Sequence, residues 1–409
     1  MPASPASVDR IGRRSGPLGR ALVASLIAGL ATVTRAEPLP SPTPEQSLSA
    51  VVQALRAGQR QEAMSQLQAL TLREPTFRIA QLLYGDLLAA RAGREVAIPL
   101  RDADDTALQE LAEEVQLRLA AEVQAPAADQ VPNAIIALSP EHPHVVAVDL
   151  ERARLFLLRQ RDGVLEIARH HYAAIGRNGS GKEIEGDLRT PIGIYRITAW
   201  MEDRALPELY GAGALPVSYP NAWDRLHRRT GHGIWLHGVP RDTYTRAPRS
   251  SEGCVTMAND DLMRLQPDVR IGETPVIFSN ELSWRTPVAA ALEQREWLDR
   301  LEGWRARWAA VDTEGYLGYY HSEFTAPGMN RTAFARHKRW VNAGKTFIEI
   351  DIDPPDIFRY PGADAPTVMA RFRMHYRSNN FESSSIKLQF WRQDADGQWK
   401  IFREENADS

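Results

Sequence analysis

Cys254 is the only cysteine in the chain, so no intrachain disulfide can form. A lone thiol leaves three roles open: an intermolecular bridge, an inert buried side chain, or a reactive group. Its surroundings bear on the third. Cys254 sits in Ser250-Ser251-Glu252-Gly253-Cys254-Val255, and seventeen residues upstream His237 ends the apolar stretch Gly233-Ile234-Trp235-Leu236. The thiolate, not the thiol, is the nucleophile, and its population at neutral pH is small unless a base or cation supports it. An imidazole brought beside this thiol would therefore point to covalent acyl chemistry. Gly238 permits a tight turn directly after the base. Gly253 lets the backbone approach a substrate carbonyl, and the N–H groups of Gly253 and Cys254 are candidates for an oxyanion hole, an effect commonly worth ~3 kcal/mol per donor.

These residues need strands and turns to hold them. Short apolar runs at Ala134–Leu138, Val145–Asp149, Ile192–Thr198, Gly233–Leu236 and Pro275–Ser279 predict strands. Leu155–Leu158 and Leu165–Tyr172 flank Asp162-Gly163 as a hairpin. Residues 134–280 are thus expected to form a mostly β catalytic domain. Before it, 46–122 reads as helical, with Leu48, Val51, Val52, Leu55, Ala63, Leu67 and Leu70 recurring at three- and four-residue steps. Gly58 and Pro75 divide the first three helices, the third covers Ile79–Ala90, and a fourth is expected over Asp105–Glu122. The texture resembles one tetratricopeptide-like hairpin pair; one unit makes no array, so a plain helical bundle is expected. Pro-rich linkers at 37–45 and 123–133 bound this region. Residues 283–409 begin with an amphipathic helix, Val288–Ala310, whose apolar side is read as Leu292, Trp297, Leu298, Leu301, Trp304 and Trp308. Helical pieces at Tyr316–Tyr320 and Ala333–Trp340 and strands at Phe347–Ile352, Thr367–Tyr376, Ser384–Arg392 and Gln398–Glu404 make this unit α+β.

Residues 1–36 read as a cleavable secretory signal: Arg10, Arg13, Arg14 and Arg20 precede the short apolar run Ala21–Val33, which ends at Thr34-Arg35-Ala36. The run is too short for a membrane span, which needs about 20 residues. No later segment is apolar enough to cross a bilayer, and a periplasmic location is expected. Loss of that segment would take the formal charge from −3 to −7. An acidic chain without a basic stripe has no electrostatic case for nucleic acid. No metal or cofactor is expected: His170-His171 have no Cys or carboxylate at ligand spacing.

The His-Gly and Ser-x-Gly-Cys elements resemble the active site of the L,D-transpeptidase (YkuD-type) family. Gly186-Asp187-Leu188-Arg189-Thr190-Pro191-Ile192-Gly193-Ile194-Tyr195 is similar to that family's G-D-x-x-T-P-x-G-x-Y segment. The resemblance implies a β-sandwich-like catalytic domain, with Cys254 as nucleophile, His237 as base and the Gly238 carbonyl orienting the imidazole. It also implies that Ser251 and Gly253 shape the loop holding the thiol. Glu252 stands where many members carry His, and Thr256 where many carry Arg or Asn. The C-terminal unit resembles the nuclear-transport-factor-two/SnoaL-like cone fold, through Trp304–Trp308, Asp312–Tyr320, Ser322-Glu323-Phe324 and Trp399–Glu404. Such a domain is read as accessory, holding a small ligand or forming a homodimer.

The fold class expected is therefore multidomain: a helical segment, a central mainly-β sandwich and an α+β cone. The partner expected is a peptidoglycan stem peptide. Attack of Cys254 on a tetrapeptide stem would release D-Ala; an amine would then give a cross-link, or water a tripeptide. Transpeptidation is the leading reading, L,D-carboxypeptidase action the alternative, and a catalytically decayed wall-binding scaffold the reading from another class. Arg246 and Arg249, between base and nucleophile, are candidates to bind substrate carboxylates. His232 and Trp235 are read as structural, and Asn259 with Asp260 as caps of the helix Asp260–Leu265.

Overall fold

The computed structural model describes residues 42–94 and 106–407. The expected signal, 1–36, lies outside them. Four helices come first: Pro44–Arg56, Arg60–Arg73, Arg78–Arg91 and Thr106–Val123. Thr43 caps the first in a reciprocal box with Gln46, so the end of the Pro-rich linker already starts a helix. Leu48, Val51, Ala54, Ala63, Leu67, Leu70, Ile79 and Leu83 interlock as the core of the helical bundle. Tyr244 and Ala258 from the following domain belong to the same cluster, so the bundle is built onto that domain.

The central domain holds a five-stranded sheet in the order Val164–Tyr172, Arg154–Arg161, His144–Asp149, Pro275–Ser279, Gly193–Arg196. A four-stranded sheet, ordered Val255–Thr256, Trp235–His237, Gly213–Pro216, Met201–Glu202, packs on one of its faces. Side chains alternate across a strand. Val146, Val148, Leu155 and Leu157 accordingly face Leu215, Leu236 and Val255 of the smaller sheet. Val145, Ala147, Phe156 and Leu158 face the other way, onto Phe358, Tyr360, Met369, Leu388 and Phe390 of the C-terminal unit. The unbroken apolar texture of Val145–Val148 follows from burial on both faces.

In the C-terminal unit the helix Pro287–Ala309 lies against a mostly antiparallel sheet, in which only Tyr320–Ala326 and Trp399–Ala407 run parallel among the described strands. Trp297, Leu301, Trp304 and Trp308 are buried as expected, whereas Leu292 and Leu298 are exposed, so the apolar stripe is narrower than the periodicity suggested. The helix read at Tyr316–Tyr320 instead covers Thr313–Leu317, and Tyr320 opens a strand that runs to Ala326. Ile135–Ala137, expected in the catalytic domain, pairs with Asp356–Arg359 and extends the C-terminal sheet. Asp356 seals this junction: its carboxylate accepts hydrogen bonds from Ser139 N at 3.0 Å and Arg196 Nη2 at 2.5 Å and meets His142 Nδ1 at 2.9 Å.

Candidate active site

The strands Trp235–His237 and Val255–Thr256 are neighbours and run parallel, with Leu236 beside Val255 and His237 beside Thr256. Continuing that register one residue back sets Cys254 beside Trp235. Leu236 and Val255 point into the core, each fully buried. Trp235, His237, Cys254 and Thr256 therefore share the opposite face, with base and thiol as diagonal neighbours. Trp235 is thus half-buried on the site face, and its sequence neighbours Ile234 and Leu236 are the core residues.

His237 is nearly inaccessible, and its Nδ1–H donates to the Gly238 carbonyl oxygen at 2.7 Å. That bond fixes the tautomer and leaves Nε2 as the acceptor. Tyr210 packs edge-on against the imidazole, ring centroids 4.8 Å apart, and its ring also lies 4.9 Å from that of Trp235. The turn after the base is cramped: a Cβ on Gly238 would lie 2.1 Å from Asn259 Oδ1 and 3.0 Å from the Tyr210 carbonyl. Asn259 does not cap its helix, where Ala258 is the N-cap without a side-chain bond. Its Oδ1 accepts from Ala212 N at 2.8 Å and Val239 N at 3.1 Å, tying that turn to the loop carrying Tyr210.

The loop carrying Cys254 is clamped by Ser251, whose hydroxyl accepts from Gly253 N at 3.1 Å and donates to the Cys254 carbonyl at 2.6 Å. The Gly253 N–H, expected in the oxyanion hole, is thereby committed within the loop. Gly253 has φ +124°, and a Cβ there would stand 2.8 Å from the Arg189 carbonyl oxygen. The Gly186–Tyr195 segment supports this loop from behind. The Asp187 carboxylate accepts from the backbone of Glu183, Ile184 and Arg189 and from Lys182 Nζ, and the Thr190 hydroxyl accepts from Gly176 N. Ile175–Gly176 pairs in turn with Arg249–Ser251. The Gly193-x-Tyr195 spacing is a packing device, since a Cβ on Gly193 would meet the Tyr195 hydroxyl at 2.6 Å.

Burial pushes the Cys254 thiol up to about 11; a backbone hydrogen bond from Trp235 and the charges of Arg246 and Lys182 oppose that rise, while Glu252 adds to it. Burial holds His237 down to about 4 against the bond to Gly238, and Arg246 lowers it further. Both shifts favour the uncharged forms, a neutral thiol beside a neutral imidazole, at neutral pH. The Sγ rests 3.4 Å from the Gly233 carbonyl oxygen.

The two arginines of the intervening loop diverge. Arg246 donates to the Ser250 carbonyl at 3.2 Å, and its charge is felt by both Cys254 and His237. Arg249 is exposed, with Nε 3.6 Å from the Glu113 carboxylate of the helical bundle. His232 is exposed as well, 3.7 Å from Glu185, and lies in the loop before the strand. Arg118 anchors the bundle to this loop. It is 4 % exposed, stacks 3.9 Å over Tyr172, bonds Glu114 at 2.7 Å and Thr245 Oγ1 at 3.1 Å, and contacts Glu45. Tyr172 donates to the Arg246 carbonyl at 3.0 Å.

Sequence reasoning did not find Tyr210, Arg118 or the latch made by Asn259. Only the Asn259-Asp260 pair carried a signal, and a helix cap explained it equally well. Among the described residues no group of three His, Cys, Asp or Glu side chains is placed to hold a metal ion. No described helix is long and apolar enough to cross a membrane.

Residues 143–278 match the model of the L,D-transpeptidase catalytic domain, YkuD, and residues 296–405 match the Cds6 C-terminal NTF2-like domain. The chain is similar to the solved structure of Bd1075 from Bdellovibrio bacteriovorus, at 27% identity and TM-score 0.60, over 69% of this chain and 99% of that one. It is also similar to the helical cell shape determining protein Pgp2 from Campylobacter jejuni, at 25% identity and TM-score 0.56, over 67% of this chain and 95% of that one. No curated protein matches. The chain thus carries a YkuD-type L,D-transpeptidase catalytic domain followed by an NTF2-like domain.

Proposed function

We propose that the protein is an extracytoplasmic, cysteine-dependent acyltransferase acting on peptidoglycan tetrapeptide stems. Cys254 Sγ attacks the carbonyl of the third stem residue as His237 Nε2 takes the thiol proton. The tetrahedral intermediate collapses, D-Ala leaves with that proton on its amine, and a thioester remains. With the Gly253 N–H held by Ser251, the Cys254 N–H is the donor left for the developing oxyanion. The observation that carries this reading is the His237 Nδ1 bond to Gly238 O at 2.7 Å, with the imidazole on the strand beside the thiol.

An acceptor amine resolving the thioester gives a cross-link, the leading reading on the family match. Water gives a tripeptide. The second outcome draws support from the likeness, over 67% of the chain, to a protein described as helical cell shape determining. Incubation with a carbapenem and intact-mass measurement tests the nucleophile: a single adduct on the wild type that disappears in Cys254→Ala is expected. No adduct, or one that persists in Cys254→Ala, would favour a decayed wall-binding scaffold. Digestion of purified tetrapeptide muropeptides separates the outcomes; tripeptide without dimer would reject transpeptidation.

A further inference from the structure

The helical bundle and the loop between His237 and Cys254 enclose a groove of about 430 Å³, within the range of about 300–1,000 Å³ usual for small-molecule sites. The bundle contributes Arg78, Ile79, Glu110 and Leu111, and the loop contributes Thr243 and Arg246. Its loop side adjoins the reaction centre. Ser250 lines it four residues before the nucleophile, and Leu209 lines it next to the Tyr210 that packs on His237. The walls are fixed relative to each other by the buried Arg118 contacts and by Phe77 against Tyr244, ring centroids 4.3 Å apart.

Four charged side chains line it. Glu114 is held by Arg118 and Thr245, Arg246 donates to the Ser250 carbonyl, and among the described residues no side chain pairs with the exposed Arg78 or Glu110. Two guanidinium groups and a carboxylate along an apolar floor suit a ligand bearing both carboxylate and ammonium groups. A purely anionic ligand would meet Glu110, and a purely apolar one would displace water from charges it cannot pair.

We infer that this groove is a peptide subsite, in which Arg78 and Glu110 of the helical bundle, together with Arg246, hold the zwitterionic diamino-acid part of a stem peptide. The inference rests on the peptidoglycan reading above. It makes the bundle a specificity element and not only a support.

The test is calorimetric binding of a reduced tetrapeptide muropeptide to the full chain carrying Cys254→Ala, which isolates binding from turnover. Adding Arg78→Gln or Glu110→Gln should each weaken binding about fivefold to tenfold, the loss of one exposed charge-assisted contact. Acetylating the free side-chain amine of the ligand should weaken binding similarly and abolish the effect of Glu110→Gln. Arg73→Gln, on the same bundle away from the groove, should change nothing. Unchanged affinity in both groove variants overturns the inference, as does an equal loss in Arg73→Gln, which would mark general damage to the bundle. Carbapenem acylation of the Arg78 and Glu110 variants with Cys254 intact should match the wild type, so failure of the subsite and failure of the nucleophile reading give different results.

Discussion

Asn259 and Val239 are joined twice: Asn259 Oδ1 accepts from the Val239 N–H at 3.1 Å, and Asn259 Nδ2 donates to the Val239 carbonyl at 2.8 Å. This pairing fixes the backbone immediately after Gly238, whose carbonyl accepts from the His237 imidazole. Asn259→Ala should lower stability by about 1–3 kcal/mol, because buried backbone groups lose their partners. It should also slow carbapenem acylation about tenfold or more. Thermal unfolding and stopped-flow acylation check the two parts separately.

The loop carrying Cys254 should tolerate Ser251→Ala better than Gly253→Ala. The first removes two hydrogen bonds at about 1 kcal/mol each. The second places a Cβ 2.8 Å from the Arg189 carbonyl at φ +124°, where side chains are strained. Acylation by a carbapenem should persist at a reduced rate in Ser251→Ala and fall at least about a hundredfold in Gly253→Ala.

With the thiol pushed up to about 11 and the imidazole held down to about 4, the resting pair is uncharged over the whole neutral range. Alkylation of Cys254 by iodoacetamide should therefore rise about tenfold per pH unit across roughly pH 6 to 9. A plateau there would mean a preformed thiolate–imidazolium pair and would contradict this arrangement. The same shift has a stability consequence. Folding keeps the imidazole neutral, so stability is complete above the ordinary value of 6.5 and is lost as pH falls towards about 4. His237→Gln should remove that part of the acid sensitivity in urea titrations at stepped pH.

Arg118 neutralises the buried Glu114 and holds Thr245 at the same time. Arg118→Met leaves an uncompensated buried carboxylate and should cost about 3–5 kcal/mol. Limited proteolysis should then cut between the helical bundle and the catalytic domain. Replacing Glu114 by Leu in that background should recover part of the loss, since the buried carboxylate is gone while Glu45 still lacks its partner.

Much of this molecule was readable along the chain. The four helices of the bundle follow from three- and four-residue apolar spacing punctuated by Gly58 and Pro75, and the candidate thiol–imidazole pair from a lone Cys254 after Gly253 with His237 upstream. These are local signals, because a helix repeats every few residues and a tight loop demands its glycine in place. The strand Ile135–Ala137 was legible as a strand but not as a member of the C-terminal sheet. Its alternation says which face is apolar, while its partner Asp356–Arg359 lies more than two hundred residues away.

The sequence by itself singled out Cys254 and His237 and the glycines that let the backbone close around them. Only the tertiary structure decided what surrounds those atoms: Tyr210 against the imidazole, Asn259 latching the turn, and Arg246 near the thiol while Arg249 turns to Glu113. The physical reason is the same in each case. Such contacts join residues brought together by sheet register and domain packing, and neither leaves a periodic trace in the chain.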